Sequence, residues 1–222
     1  MKIRTLAMMA LVSLLLSACS ASRYYVDPEW AKMPKPASVK VVFSTPEIGN
    51  PDDLKDDLPE YEDNFVDWFA PQMKRVIDSC SNGKIDYSMM MVEPKKFKFR
   101  TEKMNETNKN FDVPEYPLMK SDADVYLVVS NIWLGREELE SNPGGWVMGP
   151  SGTMVYTAPT TTRMFVSRGR YAFYDAKTKK LLGFGAAEGS MTYNFAVTRT
   201  DWENSVRVMT KQMLRETPLL GR

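Results

Sequence analysis

The chain is 222 residues long, 43% hydrophobic and 26% charged, a composition that folds rather than stays disordered. Lys plus Arg is 29 against 28 for Asp plus Glu, so no bulk positive charge favours nucleic acid. Histidine is absent and cysteine numbers 2, which excludes imidazole bases, Ser-His-Asp and Cys-His nucleophiles, His-containing zinc sites and Cys-rich clusters.

Residues 1–18 read as an export signal. Lys2 and Arg4 supply a positive start, and the apolar run 6–16 is too short for a membrane-spanning helix, which needs about 20 residues. The run ends in Leu16-Ser17-Ala18-Cys19, which resembles the bacterial lipobox. The resemblance implies cleavage before Cys19, a lipidated thiol and a palmitate-bearing N-terminus. Several acyl chains together anchor stably where one is marginal. Ser20, in a position where Asp favours inner-membrane retention, implies the outer membrane, with the domain facing the periplasm. Cys80 is then the remaining thiol and reads as a small core hydrophobe.

Residues 19–37 are expected to be a lipidated tether, because Pro28, Pro34 and Pro36 disfavour helix. A single periplasmic domain is expected over 38–222. Residues 39–44 suit a first strand. The acids Asp52, Asp53, Asp56, Asp57, Glu60, Glu62 and Asp63 lack EF-hand spacing and read as a solvated loop. A helix over 60–79 follows, with Phe65, Phe69, Met73, Val76, Ile77 and Cys80 at helical spacing, a kink at Pro71 and a stop at Asn82-Gly83. Residues 85–92 alternate as a strand. Met89, Met90 and Met91 invite copper, but adjacent strand residues face opposite ways and cannot converge on one ion. Residues 97–100 suit another strand and 101–121 a polar loop.

The near-continuous apolar run 124–133 predicts a buried strand. Residues 135–161 form a long Gly/Pro-rich insertion, in which Trp146-Val147-Met148 and Thr153-Met154-Val155-Tyr156 flank a Gly149-Pro150-Ser151-Gly152 turn. This hairpin, with Trp146, Met148, Met154 and Tyr156, is the candidate surface for a partner or the lipid; the alternative is that it folds back over an open sheet face. Strands over 162–174 and 181–193 bracket a turn at 175–180. Gly183, Gly185, Ala186, Ala187 and Gly189 permit close approach of another backbone. The last helix, 200–217, carries a Thr200/Glu203 capping box, an apolar face of Trp202, Val206, Met209 and Met213, and a stop at Pro218. The fold class is α+β: one mixed sheet, two main helices on it and the long insertion.

The segment Arg170-Tyr171-Ala172-Phe173-Tyr174-Asp175, a Lys/Thr-rich turn, Leu181-Leu182-Gly183, a small-residue run and a capped helix resemble the α/β module of TolB N-terminal domains and curli-secretion-channel lipoproteins. Lys179 stands where that turn usually has Gly. The resemblance covers about a third of the chain and implies envelope assembly rather than chemistry. No Walker loop or G-x-S-x-G elbow is present, and Ser81-Asn82-Gly83-Lys84 lies past a helix end, where an S-x-x-K pair cannot work. A non-catalytic envelope lipoprotein is therefore expected, without cofactor or metal, anchored by lipid and bound to an envelope partner. The alternatives are an oligomeric secretion-channel subunit, which needs strands of about 9–11 residues, and a glycan hydrolase using carboxylates such as Asp122 and Asp124.

Overall fold

A computed structural model describes residues 24–81, 85–104, 110–115 and 122–220. Cys19, the export signal, Asn82-Gly83 and Lys84 lie outside the described residues. The chain runs through β1 (Tyr24–Val26), β2 (Ser38–Ser44), β3 (Glu47–Ile48), α1 (Pro51–Asp57), α2 (Phe65–Cys80), β4 (Asp86–Val92), β5 (Lys98–Lys103) and β6 (Asn110–Glu115). It continues through β7 (Val125–Asn142), β8 (Gly145–Met148), β9 (Met154–Thr157), β10 (Thr160–Asp175), β11 (Leu181–Thr192) and α3 (Arg199–Leu214).

The main sheet has the order β1-β11-β10-β7-β2-β4, with β3 paired to β7 beyond the end of β2. It is mixed, since β2 runs parallel to both β4 and β7 while β7, β10, β11 and β1 pair antiparallel. Both faces are covered, which explains the near-continuous apolar run in β7. On one face α2 and α3 pack over Val41, Phe43, Leu127, Val129 and Phe173 through Phe69, Met73, Trp202 and Met209. On the other, β6 and the residues that flank β5 lay Val113, Phe97 and Met104 against Val42, Tyr126, Val128 and Phe184. The mixed sheet with two long helices is the expected α+β class. Residues 101–103 and 110–115, expected as part of a polar loop, are strand, because β5 and β6 supply this second cover. The three methionines diverge as strand geometry demands: Met89 reaches the helical core, Met90 the opposite core, and Met91 is exposed.

Three expectations need correction. Residues 24–37, expected to be tether, are folded onto the domain. β1 pairs with β11, Trp30 is buried with its ring 5.1 Å from that of Phe173, and Lys180 holds Asp27 at 2.7 Å. The prolines there exclude a long helix but not a short strand and a 3-10 turn. Next, the acidic segment is not merely a solvated loop. Asn50 accepts the Asp52 N–H, Pro51 occupies the first helical position, and α1 forms, turning Asp53 and Asp57 inward. Helix α2 accordingly begins at Phe65 rather than at 60, and runs through Pro71 because Pro71 and Asp67, whose carbonyl loses its partner, both lie on the solvent side. Lastly, the α3 capping box is Thr198 with Asp201, two residues before the expected one. That earlier start brings Arg199 to Glu60 and over the Tyr61 ring.

The small-residue run in β11 does what its composition predicts. Gly189 lies under α3, where a Cβ would collide with the Ser205 carbonyl and come 2.8 Å from the Met209 nitrogen. Gly183 leaves room for the Tyr25 carbonyl and Trp30.

Candidate functional site

Strands β7 and β10 outgrow the domain. A bulge places Asn131 and Ile132 of β7 against Gly169 of β10, with Asn131 at φ 50°, a conformation Asn tolerates. The bulge shifts the alternation so that Ile132 and Leu134 face the helical core with Val129. Beyond Leu134 and Phe165, the last fully buried side chains of the pair, the ribbon leaves the core. A polar node fixes its base. Arg136 makes two bonds to Asp57 at 2.9 and 2.8 Å, reaches Asp53 at 3.2 Å, and Asp57 also accepts the Trp202 indole N–H at 3.0 Å. Burial works against the guanidinium charge, yet the Asp57 hydrogen bond and the two carboxylates hold its pKa above the ordinary value. Cross-strand pairs Arg168–Glu137 (2.8 Å) and Arg163–Glu138 (2.9 Å) continue outward.

Charge then stops: every residue from 141 to 162 is uncharged. Gly144 (φ 76°) redirects the chain where a Cβ would meet the Pro159 nitrogen at 2.8 Å. Strands β8 and β9 follow, pairing Trp146 with Tyr156, Val147 with Val155 and Met148 with Met154. The turn is closed by the Gly149 N–H donating to the Thr153 carbonyl at 2.8 Å, with Gly152 at φ 76°. The Trp146 and Tyr156 rings meet edge-on, 5.6 Å between centroids.

The two strands form a sheet of their own. Strand alternation puts Trp146, Met148, Met154 and Tyr156 on one face and Val147 and Val155 on the other. All six are exposed, from 48% at Val147 to 74% at Met148. The hairpin therefore does not cover the sheet; β5 and β6 take that role. The structure brings the four expected residues together and adds Val147 and Val155, which the alternation of the short strands could have revealed.

The other candidates carry local structure. Asp124 accepts the Ala37 and Ser38 N–H groups at 2.9 and 3.2 Å, while Asp122 is exposed. A cleft of about 390 Å³ at the end of the sheet away from the hairpin is lined by Asp27, Trp30, Asp124, Asp175 and Lys180 among others. Its carboxylates are engaged: Asp175 accepts from Thr178 N at 2.6 Å and Lys177 N at 3.0 Å, and Asp27 from Lys180 and Glu29 N. Ser81 is buried, its hydroxyl bonded to the Asp78 carbonyl at 3.2 Å, and Cys80 is a half-buried free thiol beside the core. Among the described residues no helix is long and apolar enough to cross a membrane.

No protein-family model and no curated protein matches the chain, so the likeness to the TolB and curli-channel modules stands on the residue pattern alone. Solved structures with a similar arrangement include the PelC dodecamer from Paraburkholderia phytofirmans, with 11% identity, 90% of this chain and 98% of that one covered, and a TM-score of 0.36. Lipoprotein GNA1162 from Neisseria meningitidis shares 12% identity over 73% of this chain and 88% of its own, with a TM-score of 0.32. A Helicobacter pylori protein described as a neuraminyllactose-binding hemagglutinin homolog shares 14% identity over 82% and 79%, with a TM-score of 0.34. Likeness at these scores transfers no function.

Proposed function

We propose that the protein is a non-catalytic lipoprotein of the bacterial outer membrane whose periplasmic domain uses the β8–β9 hairpin to dock on another envelope component. The hairpin carries this reading: six exposed apolar side chains on a glycine-hinged element that the domain's own core does not use. Apolar patches of this kind are costly in water unless something covers them. The Leu16-Ser17-Ala18-Cys19 motif supplies the address. The arms of β8 and β9 are four residues each, short of the length a membrane-spanning strand needs, so the secretion-channel alternative gains nothing from them.

Two observations test the reading. Cys19→Ala should leave an unlipidated precursor that no longer fractionates with membranes; a wild-type N-terminus found by mass spectrometry to be unmodified would remove the address. A photo-crosslinking amino acid at Val147 in growing cells should give discrete adducts, whereas the same group at exposed Lys95 should not. No adduct at either position would leave the hairpin without an occupant.

A further inference from the structure

We infer that the component on which the hairpin docks is a second copy of this chain: two hairpins stack tip to base about a two-fold axis, by the faces that carry Trp146, Met148, Met154 and Tyr156. The inference rests on the docking reading and names its occupant.

Charge is the first reason. Every residue from 141 to 162 is uncharged. The hairpin therefore has nothing for an oppositely charged surface to match, and two copies of it bring no like charges together.

Side-chain order is the second. On the wide face each arm carries a ring at the base and a methionine toward the tip: Trp146 then Met148 on β8, Tyr156 then Met154 on β9. Turning one hairpin over onto another, about an axis that crosses the strands, lays Trp146 on Met148 of the second copy and Tyr156 on Met154 of the second copy. Every ring then meets a thioether, a favourable contact, and the unbranched methionines adapt to the rings they cover. The same patch is used on both copies, so the contact closes at two instead of growing into a filament.

Area is the third. Trp146, Met148, Met154 and Tyr156 are 66%, 74%, 56% and 56% exposed. At about 200 Å² for a large side chain they present roughly 500 Å², so two copies bury roughly 1,000 Å², the least that a specific interface needs. A contact of this size is weak. Dilute chains stay single with the hairpin bare, and lipid-anchored chains confined to a membrane surface reach the effective concentration that pairs them. Val147 and Val155 stay on the outside, where two small apolar groups are ordinary.

The ribbon keeps the bodies apart. From Leu134, the last fully buried residue of β7, to its end at Asn142 are eight residues, roughly 26 Å of strand. Stacked tip to base, the hairpins overlap while the two cores lie at opposite ends of the pair.

The test co-expresses two differently tagged full-length copies in growing cells, only one of which carries a photo-crosslinking amino acid in place of Met148. The expected product carries both tags and is joined through residues 145–148 of the second copy. An adduct at Val147 should have the same composition, because β8 is an edge strand that a long side chain can pass around. Trp146→Ser with Met154→Ser in both copies should lower the two-tag yield at least about tenfold. Adducts to a different protein, with no two-tag product, overturn the second copy and leave the docking reading standing. A two-tag yield unchanged by the serine pair also overturns the stacking. No adduct at Met148 or Val147 overturns both.

Discussion

Gly189 shows how tightly single positions are specified. With a Cβ there colliding with the Ser205 carbonyl, Gly189→Ala should push α3 off β11 and cost about 3 kcal/mol in urea unfolding. An unchanged midpoint would mean that the helix sits farther out than described. Asp27 makes a different demand. The Lys180 hydrogen bond, aided by the Glu29 and Trp30 N–H groups, outweighs burial and holds its carboxyl below the usual range; the Thr178 N–H does the same for Asp175. A depressed folded pKa stabilises above the unfolded value, and that contribution is lost as pH falls through the folded one. The wild-type melting temperature should therefore drop as pH falls below the ordinary Asp value of about 4. Asp27→Asn should be less stable at neutral pH, with the gap to wild type closing as the solution is acidified. A gap that stays constant with pH would remove the ion pair from the account. The Gly183-to-Gly189 run could be read from composition, since a cluster of small residues in a strand has few other uses. The Asp27–Lys180 pair could not, because its members are far apart in the chain and meet only when β1 joins β11.

At the scale of elements, legibility followed the surroundings of each segment. β7, α2 and α3 bury wide apolar faces, and the periodicity of Phe69, Met73, Trp202 and Met209 shows it. α1 was missed because its acids look solvated until Arg136, a distant residue, arrives between Asp53 and Asp57. β6 was hidden and β5 only half legible, as a strand over 97–100, because their one inward face is sparse: Lys98, Phe99, Thr101 and Lys103 face solvent. The segment 24–33 is held by Trp30 and the Asp27 clamp. Trp30→Ala should cost about 3 kcal/mol and make cleavage near Met33 fast in limited proteolysis. Resistance equal to wild type would show that β1 pairing alone holds it. The hairpin should behave in the opposite way, Trp146→Ser with Met154→Ser changing the unfolding free energy by less than about 0.5 kcal/mol. A large loss would return the hairpin to the core.

The whole molecule divides by end. One end of the sheet carries the cleft, the 175–180 turn and the carboxylates bound to backbone amides; the other carries the ribbon and Phe195. The hairpin was legible in the sequence as glycines around Trp146 and Tyr156, and the proposed address rests on the run ending in Cys19. β1 was not legible, because three prolines follow it closely and its pairing with β11 is long-range. The central claim is that the hairpin is exposed in the isolated domain and covered in the envelope. Oxidative footprinting of methionines tests it, because thioether oxidation follows exposure. Met148 and Met154 should oxidise as fast as exposed Met33 and Met91 in the purified chain, and much more slowly than those two in intact envelopes. Equal rates for all four in envelopes, or protection of Met148 and Met154 already in the purified chain, would contradict the account.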